Sequence, residues 1–191
     1  GRLTEVVRTG KSQAEAALGT NPWDYYGTHP EEMAWFARGM GNLSKMVAQD
    51  VVAAFDFSPF KQIADVGGSQ GALIAAILQA TPTSRGVLFD RPEVIAEAEA
   101  EVQRYGLGDR LKRVGGDFFN HVPAECDAYL VKSILHDWDD ARCLQILKTI
   151  HDGSSPGAKL LVFEMLLSDS PMSTPVKLID LNMMVMLNGR L

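Results

Sequence analysis

An apolar run that passes straight into glycines, Asp65-Val66-Gly67-Gly68-Ser69-Gln70-Gly71, constrains this chain more than any other stretch. Behind it, Gly86-Val87-Leu88-Phe89-Asp90 reads as a second strand closing on a carboxylate. Strand, glycine turn, helix and acid-tipped strand is how an open α/β sheet builds a pocket for an adenosine-containing ligand. Gly67 and Gly68 allow positive φ and a close approach of backbone to ligand. A helix opening near Gly71 presents unpaired N–H groups to an anion. Asp90 can accept hydrogen bonds from two ribose hydroxyls.

A dinucleotide fingerprint requires G-x-G-x-x-G after the strand. Counted from Gly67, the two later glycine positions hold Ser69 and Ala72, and no Gly-Lys-Ser/Thr follows to make a P-loop. The order Asp-Val-Gly-Gly-x-x-Gly instead resembles the S-adenosylmethionine loop of class I methyltransferases, where the anion is the methionine carboxylate. A nicotinamide site, or a tight βα turn that binds nothing, are the alternatives.

The 191 residues suffice for one domain with a substantial core, with or without a small appendage. A net charge of −6 argues against a nucleic-acid footprint. The basic trio Arg110, Lys112 and Arg113 reads as a solvated face beside the third strand. Cys126 and Cys143, in strand and helix patterns without motif spacing, read as buried free thiols. With no long apolar run and no signal peptide, a cytoplasmic protein without membrane contact is expected.

Residues 1–60 carry helical and no strand periodicity. Ser12-x-x-Glu15 and Thr28-x-x-Glu31 match the capping box, and Met33, Phe36, Ala37, Met40, Val47, Val51 and Ala54 form one apolar stripe. From residue 61 to 191 the pattern is α/β, with strands expected near 62–67, 85–90, 111–116, 126–132 and 158–164. Helices are expected near 71–80, 92–105, 138–151 and 178–187. Short apolar strands alternating with amphipathic helices imply a parallel sheet covered by helices on both faces. The expected organisation is a helical linker and substrate-pocket segment at 1–60 and a ligand-binding catalytic domain at 61–191.

A second constellation follows the fourth strand: Lys132-Ser133-Ile134-Leu135-His136-Asp137-Trp138-Asp139-Asp140. Ligands of open α/β sheets bind beyond the carboxyl ends of strands, and His136 falls one short loop past such an end. A neutral imidazole there could take a proton from a hydroxyl. Asp137, Asp139 and Asp140 fit better as the start of a helix. A metal cluster of His136, Asp137 and Asp140 would draw every ligand from one short segment, and no metal is expected. Glu164 ends an apolar strand, where an unpaired charge is expensive, and could orient the His136 ring if strands four and five are neighbours. Asp117 and Phe118, at the tip of strand three, could hold the adenine amino group and stack on its face.

Together these segments resemble the S-adenosylmethionine-dependent O-methyltransferases that act on small phenolic or hydroxylated natural products, a family with plant caffeate and flavonoid enzymes and bacterial polyketide and antibiotic enzymes. The resemblance runs from about Trp23 to Leu191. It rests on Trp35-Phe36-Ala37-Arg38-Gly39-Met40 with Ser44, the glycine loop, Leu88-Phe89-Asp90-Arg91-Pro92, Gly116-Asp117-Phe118-Phe119, Leu130 through Trp138, and Val162-Phe163-Glu164. It implies a class I methyltransferase, Rossmann-like fold and an enzyme in which His136 is the general base and Glu164 its partner. Gly67, Gly68, Gly71, Asp90, Asp117, Phe118 and Lys132 or Ser133 would hold the cofactor, and Arg38 its carboxylate. Phe36, Met40, Trp138, Asn182, Met183 and Met186 would shape the acceptor pocket. S-adenosylhomocysteine would be the co-product, a phenolic or polyketide-like compound the acceptor, and the full-length protein a homodimer.

Three departures bear on this. The family's N-terminal winged-helix dimerisation domain is not visible, and its last helix and two strands are absent, so the catalytic domain reads as incomplete at its C-terminus. Leu191 stands where the family often has a second acidic residue, which keeps open a relative that binds the cofactor without transferring the methyl group. An N-methylase acting on nucleic acid or protein fits less well, because Ser133-Ile134-Leu135-His136 replaces the usual Asn/Asp-Pro-Pro-aromatic motif.

Overall fold

The computed structural model describes residues 2–167, 169 and 175–187. Helices α1 (Leu3–Thr9), α2 (Ala14–Leu18), α3 (Pro22–Thr28) and α4 (Pro30–Ala54) come first. Then follow β1 (Gln62–Val66), α5 (Ala72–Ala80), β2 (Arg85–Asp90), α6 (Pro92–Glu97), α7 (Glu99–Arg104) and β3 (Leu111–Gly115). The chain continues with β4 (Ala128–Lys132), α8 (Asp140–Gly153), β5 (Lys159–Phe163) and α9 (Pro175–Met186). Two compact units emerge. One draws on Gly1–Met33, Ser133–Leu144 and Phe163–Leu191, the other on Ala34–Lys132 and Gln145–Val162.

The second unit is built on a sheet of order β3-β2-β1-β4-β5, in which β1 pairs in parallel with both β2 and β4. Neighbouring side chains of a strand point to opposite faces, yet Ile63–Val66 and Ala128–Val131 are buried without a break. Both faces are therefore covered, as the near-continuous apolar runs require. Asp127 ties the starts of β1 and β4 together, its Oδ2 accepting from the amides of Lys61 (2.7 Å) and Gln62 (2.9 Å). The strand order reverses at β1 and β4, the switch point at which open sheets bind ligands.

Several local expectations change. Gln13 occupies the cap position of α2 without a side-chain cap, while Ser12 Oγ accepts from Ala14 N–H (3.1 Å), the first amide of that helix, and donates to Val185 O (2.7 Å). Thr28 ends α3 instead of opening α4, with its hydroxyl donating to Tyr25 O (3.0 Å). Along α4 the buried positions are the small ones, Ala37, Gly41 and Ala48, whereas Val47 is 42% exposed. Small residues bring the helix backbone close: a Cβ on Gly41 would stand 2.6 Å from Gln70 Oε1. The helix foreseen over 92–105 is broken into α6 and α7 at Ala98, and Val94, Ala98 and Val102 face the core. Arg110 is not a solvated cation. Its guanidinium donates to the carbonyls of Leu78 (2.9 Å) and Ser84 (3.2 Å), gripping the end of α5 and the turn after it. Cys126 is buried in the loop just before β4, where burial pushes its thiol up to about 11, while Cys143 is half-buried. Among the described residues no helix is long and apolar enough to cross a membrane.

β5 lies at the sheet edge among the described strands, and Leu160 and Val162 are 39% and 44% exposed. An apolar edge strand is a template for pairing with another chain. The 191-residue chain by itself is expected to self-associate, and Val162→Lys to reduce that association, read by sedimentation velocity. A monomeric profile for the unsubstituted chain contradicts this.

Candidate functional site

In the sheet-based unit, the turn after β1 is shaped by three residues in the left-handed region: Gly67 (φ 71°), Ser69 (φ 53°) and Gly71 (φ 75°). Gly67 N–H donates to Phe89 O at 2.8 Å, which draws the turn onto the end of β2. Asp90 completes the tie. Its Oδ2 accepts from Ser69 N–H (2.8 Å) and its Oδ1 from Arg91 N–H (2.7 Å). Each carboxylate oxygen has two lone pairs, so Asp90 keeps acceptor capacity for a diol. Burial raises its pKa, and those two amides oppose the rise.

Gly68 is glycine for a steric reason. A Cβ there would lie 2.5 Å from Leu88 Cδ1 and 2.7 Å from the Asp65 carboxylate. Asp65 is only 2% exposed and its Oδ2 has no hydrogen-bond partner among the described residues. Its pKa rises to about 7, driven by burial and opposed by the charge of Lys132 and a hydrogen bond from the Ile74 amide. Because α5 starts at Gly71, which has no side chain to cap it, the buried Asp65 carboxylate serves the first turn of the helix instead. Sequence reasoning passed over Asp65. The signal was present: an acid inside an apolar strand, the same anomaly that marks Glu164.

Asp117 spends its carboxylate on its own turn, Oδ1 accepting from Phe119 N–H (2.9 Å) and Oδ2 from the Asn120 side-chain amide (2.9 Å). Phe118 is half-buried, with its ring edge-on to Phe119 at 4.9 Å. On α4, Phe36 and Met40 are half-buried and Arg38 is exposed. Lys132 is half-buried at the end of β4.

The other unit holds the histidine. Ser133 takes φ 55°, uncommon for a side-chain-bearing residue, and its N–H donates to Phe163 O at 3.0 Å. A 3₁₀ turn over Leu135–Asp137 follows. Glu164 organises it: Oε1 accepts from the amides of Ile134 and Leu135, both at 3.1 Å, and Oε2 lies 2.6 Å from His136 Nδ1. A carboxylate fixed at Nδ1 favours the proton there and leaves Nε2 as the acceptor nitrogen. The ring is 8% exposed.

Asp137 departs from expectation. Asp139 caps α8 by accepting from Arg142 N–H (2.9 Å), and Asp140 begins that helix, but Asp137 is buried with Oδ1 3.4 Å from His136 Nε2. Burial pushes its carboxyl up to about 7, against the pull of His136 and with the push of Glu164. The thiol of Cys143 steadies the same turn, donating to Leu135 O (3.2 Å) and Trp138 O (3.5 Å). Trp138 stacks on Trp23 with ring centres 6.3 Å apart. On α9, Asn182 is exposed and Met183 and Met186 are half-buried. Leu191, expected to bear on the base, lies outside the described residues. No group of His, Cys, Asp and Glu among the described residues is arranged to hold a metal.

Residues 1–191 match the model of the O-methyltransferase domain family. A phenazine O-methyltransferase of Lysobacter antibioticus is 40% identical over 184 residues, covering 96% of this chain and 54% of that protein. The crystal structure of LaPhzM superposes with a TM-score of 0.95 at 39% identity, covering 99% of this chain and 57% of that one. NcsB1, an O-methyltransferase of neocarzinostatin biosynthesis in complex with S-adenosylhomocysteine and 1,4-dihydroxy-2-naphthoic acid, gives a TM-score of 0.90 at 28% identity. The match covers 99% of this chain and 57% of NcsB1. This chain therefore spans about half the length of the curated relatives it matches.

Two substitutions test the glycine turn. Gly68→Ala should cost ~1–3 kcal/mol by forcing Leu88 or Asp65 aside, read from denaturant unfolding. Asp65 has a raised folded pKa, so the wild type loses stability as pH climbs from the unfolded value, 3.8, through about 7. The stability of Asp65→Asn relative to wild type should therefore rise between about pH 4 and pH 7 and level off above. A difference independent of pH contradicts the buried, uncompensated carboxylate.

Proposed function

The chain belongs to the O-methyltransferase domain family, and from that premise we propose that the whole protein methylates a hydroxyl of a small aromatic compound with S-adenosylmethionine as donor. The observation that carries this reading is the His136–Glu164 couple, an imidazole fixed at 2.6 Å through Nδ1 with Nε2 left to accept a proton. The donor supplies a methyl group already activated as a sulfonium, so the protein's task is to place the acceptor oxygen and take its proton.

The turn after β1 fits an adenosine ligand. Left-handed backbone at Gly67, Ser69 and Gly71 bends the chain back on itself there, and Asp90 has lone pairs left for two ribose hydroxyls. Gly67 and Gly71 shape the same cradle, Lys132 or Ser133 and Arg38 would meet charged ends of the ligand, and Asp117 with Phe118 its adenine. In the histidine-bearing unit, Trp138, Asn182, Met183 and Met186 would bound the acceptor, a small phenol or polyketide-like hydroxyaromatic. The bound donor would supply the methyl group and leave as S-adenosylhomocysteine, while His136 Nε2 would take the hydroxyl proton. Glu164, held by two amides, keeps the ring oriented and offsets the positive charge that it acquires.

Labelled S-adenosylmethionine and a panel of phenols, with 1,4-dihydroxy-2-naphthoic acid included, provide the assay. His136→Ala should lower turnover by ~10²–10⁴-fold, the range of general-base assistance, with cofactor affinity by isothermal titration nearly unchanged. Unaltered turnover removes the base assignment. Cofactor binding without product of one added methyl mass across the panel favours a relative that binds and does not transfer.

A further inference from the structure

We propose that Asp137 is the proton exit of this site, taking from His136 Nε2 the proton that the acceptor hydroxyl has left there and passing it to solvent. The inference rests on the reading of His136 as the base and adds the step that resets it.

The geometry offers a route. The Nδ1 side of the ring faces Glu164 at 2.6 Å, and that carboxylate is also bound by the Ile134 and Leu135 amides. Glu164 thus holds the Nδ1 proton in place and has no capacity to drain the other nitrogen. The ring itself is 8% exposed, so water has little access to Nε2. Asp137 Oδ1 stands 3.4 Å from that atom, and its side chain is 12% exposed, a narrow opening outward.

Charge on the ring strengthens the contact. A charge-assisted N–H···O bond settles at about 2.8 Å, so protonation of Nε2 draws Asp137 inward once the methylated product has moved off. The charged neighbours facing Asp137 are His136 and Glu164. Burial and Glu164 bring its carboxyl up to about 7, which makes it a better proton acceptor than an ordinary carboxylate. A carboxyl at its ordinary value near about 4 would be a far poorer acceptor. The sequence of events conserves the proton: hydroxyl oxygen to Nε2, Nε2 to Oδ1, Oδ1 to water or buffer base.

The test separates the chemical step from the reset, using the whole protein and the best acceptor of the phenol panel. In Asp137→Asn, a single turnover with enzyme in excess should proceed within about threefold of wild type, while steady-state turnover falls about tenfold or more. In Asp137→Ala, where the shortened side chain leaves room beside Nε2, added formate should restore the steady-state rate in proportion to its concentration. An equal fall in both rates assigns Asp137 to positioning alone and overturns the proposal. No fall in either, or a slowed steady state of Asp137→Ala indifferent to formate, also overturns it. In the unsubstituted protein, a solvent deuterium isotope effect should be larger on steady-state than on single-turnover rates, a measurement that needs no variant to fold; equal effects count against the relay. His136→Ala distinguishes the two levels, because it should slow the single turnover itself by ~10²–10⁴-fold. If it does not, the base reading fails, independently of the behaviour of Asp137.

Discussion

One carboxylate fixes the conformation of the histidine turn. Glu164 receives two backbone amides on one oxygen and the His136 ring on the other. Charge-assisted hydrogen bonds are stronger than neutral ones, and three of them meeting on a single carboxylate leave the 3₁₀ turn little freedom. The left-handed Ser133, the thiol of Cys143 and the stacked Trp23 and Trp138 all act on a segment whose position Glu164 has already set. The ring atoms are consequently placed by an ion-dipole network, with apolar packing in a supporting part.

The sheet-based unit solves a similar problem with the opposite cost. There Asp65 is buried beside a glycine, with one oxygen unpartnered among the described residues and its pKa lifted to about 7. A buried polar atom without a partner costs free energy. That cost is concentrated at the turn where Gly67, Ser69 and Gly71 adopt left-handed backbone and Asp90 collects two amides. Departures from ordinary packing and backbone preference therefore gather at one end of the parallel sheet, beside strands that are themselves regular and buried.

The regular parts were the most legible in the sequence. Apolar runs and glycine punctuation located all five strands to within two residues at each end, and the mark is plainest for β1 and β4, which are buried on both faces. The His136–Glu164 couple could be read as well, since a histidine one loop past a strand and an acid closing the neighbouring strand are brought side by side by the sheet itself. The roles of Asp137, Asp65 and Arg110 were not legible. Asp137 resembles its neighbours Asp139 and Asp140, and only tertiary burial distinguishes the residue against the ring from the cap of α8. Arg110 sits among basic residues, and nothing local reveals that its guanidinium reaches a carbonyl 32 positions earlier. The capping box at Thr28 does not form because Thr28 is still inside α3, its hydroxyl on the Tyr25 carbonyl.

The grip of Arg110 bears on the far end of α5. That helix begins at the glycine turn and finishes where the guanidinium holds the Leu78 and Ser84 carbonyls. Clamped at its C-terminus and served by Asp65 at its N-terminus, α5 cannot slide along its axis or fray without breaking charged contacts. A ligand settling on the turn would meet backbone whose ordering entropy was already lost when the chain folded. Recognition there can be rigid, with selectivity set by fixed dipoles and not by a loop that closes around whatever arrives.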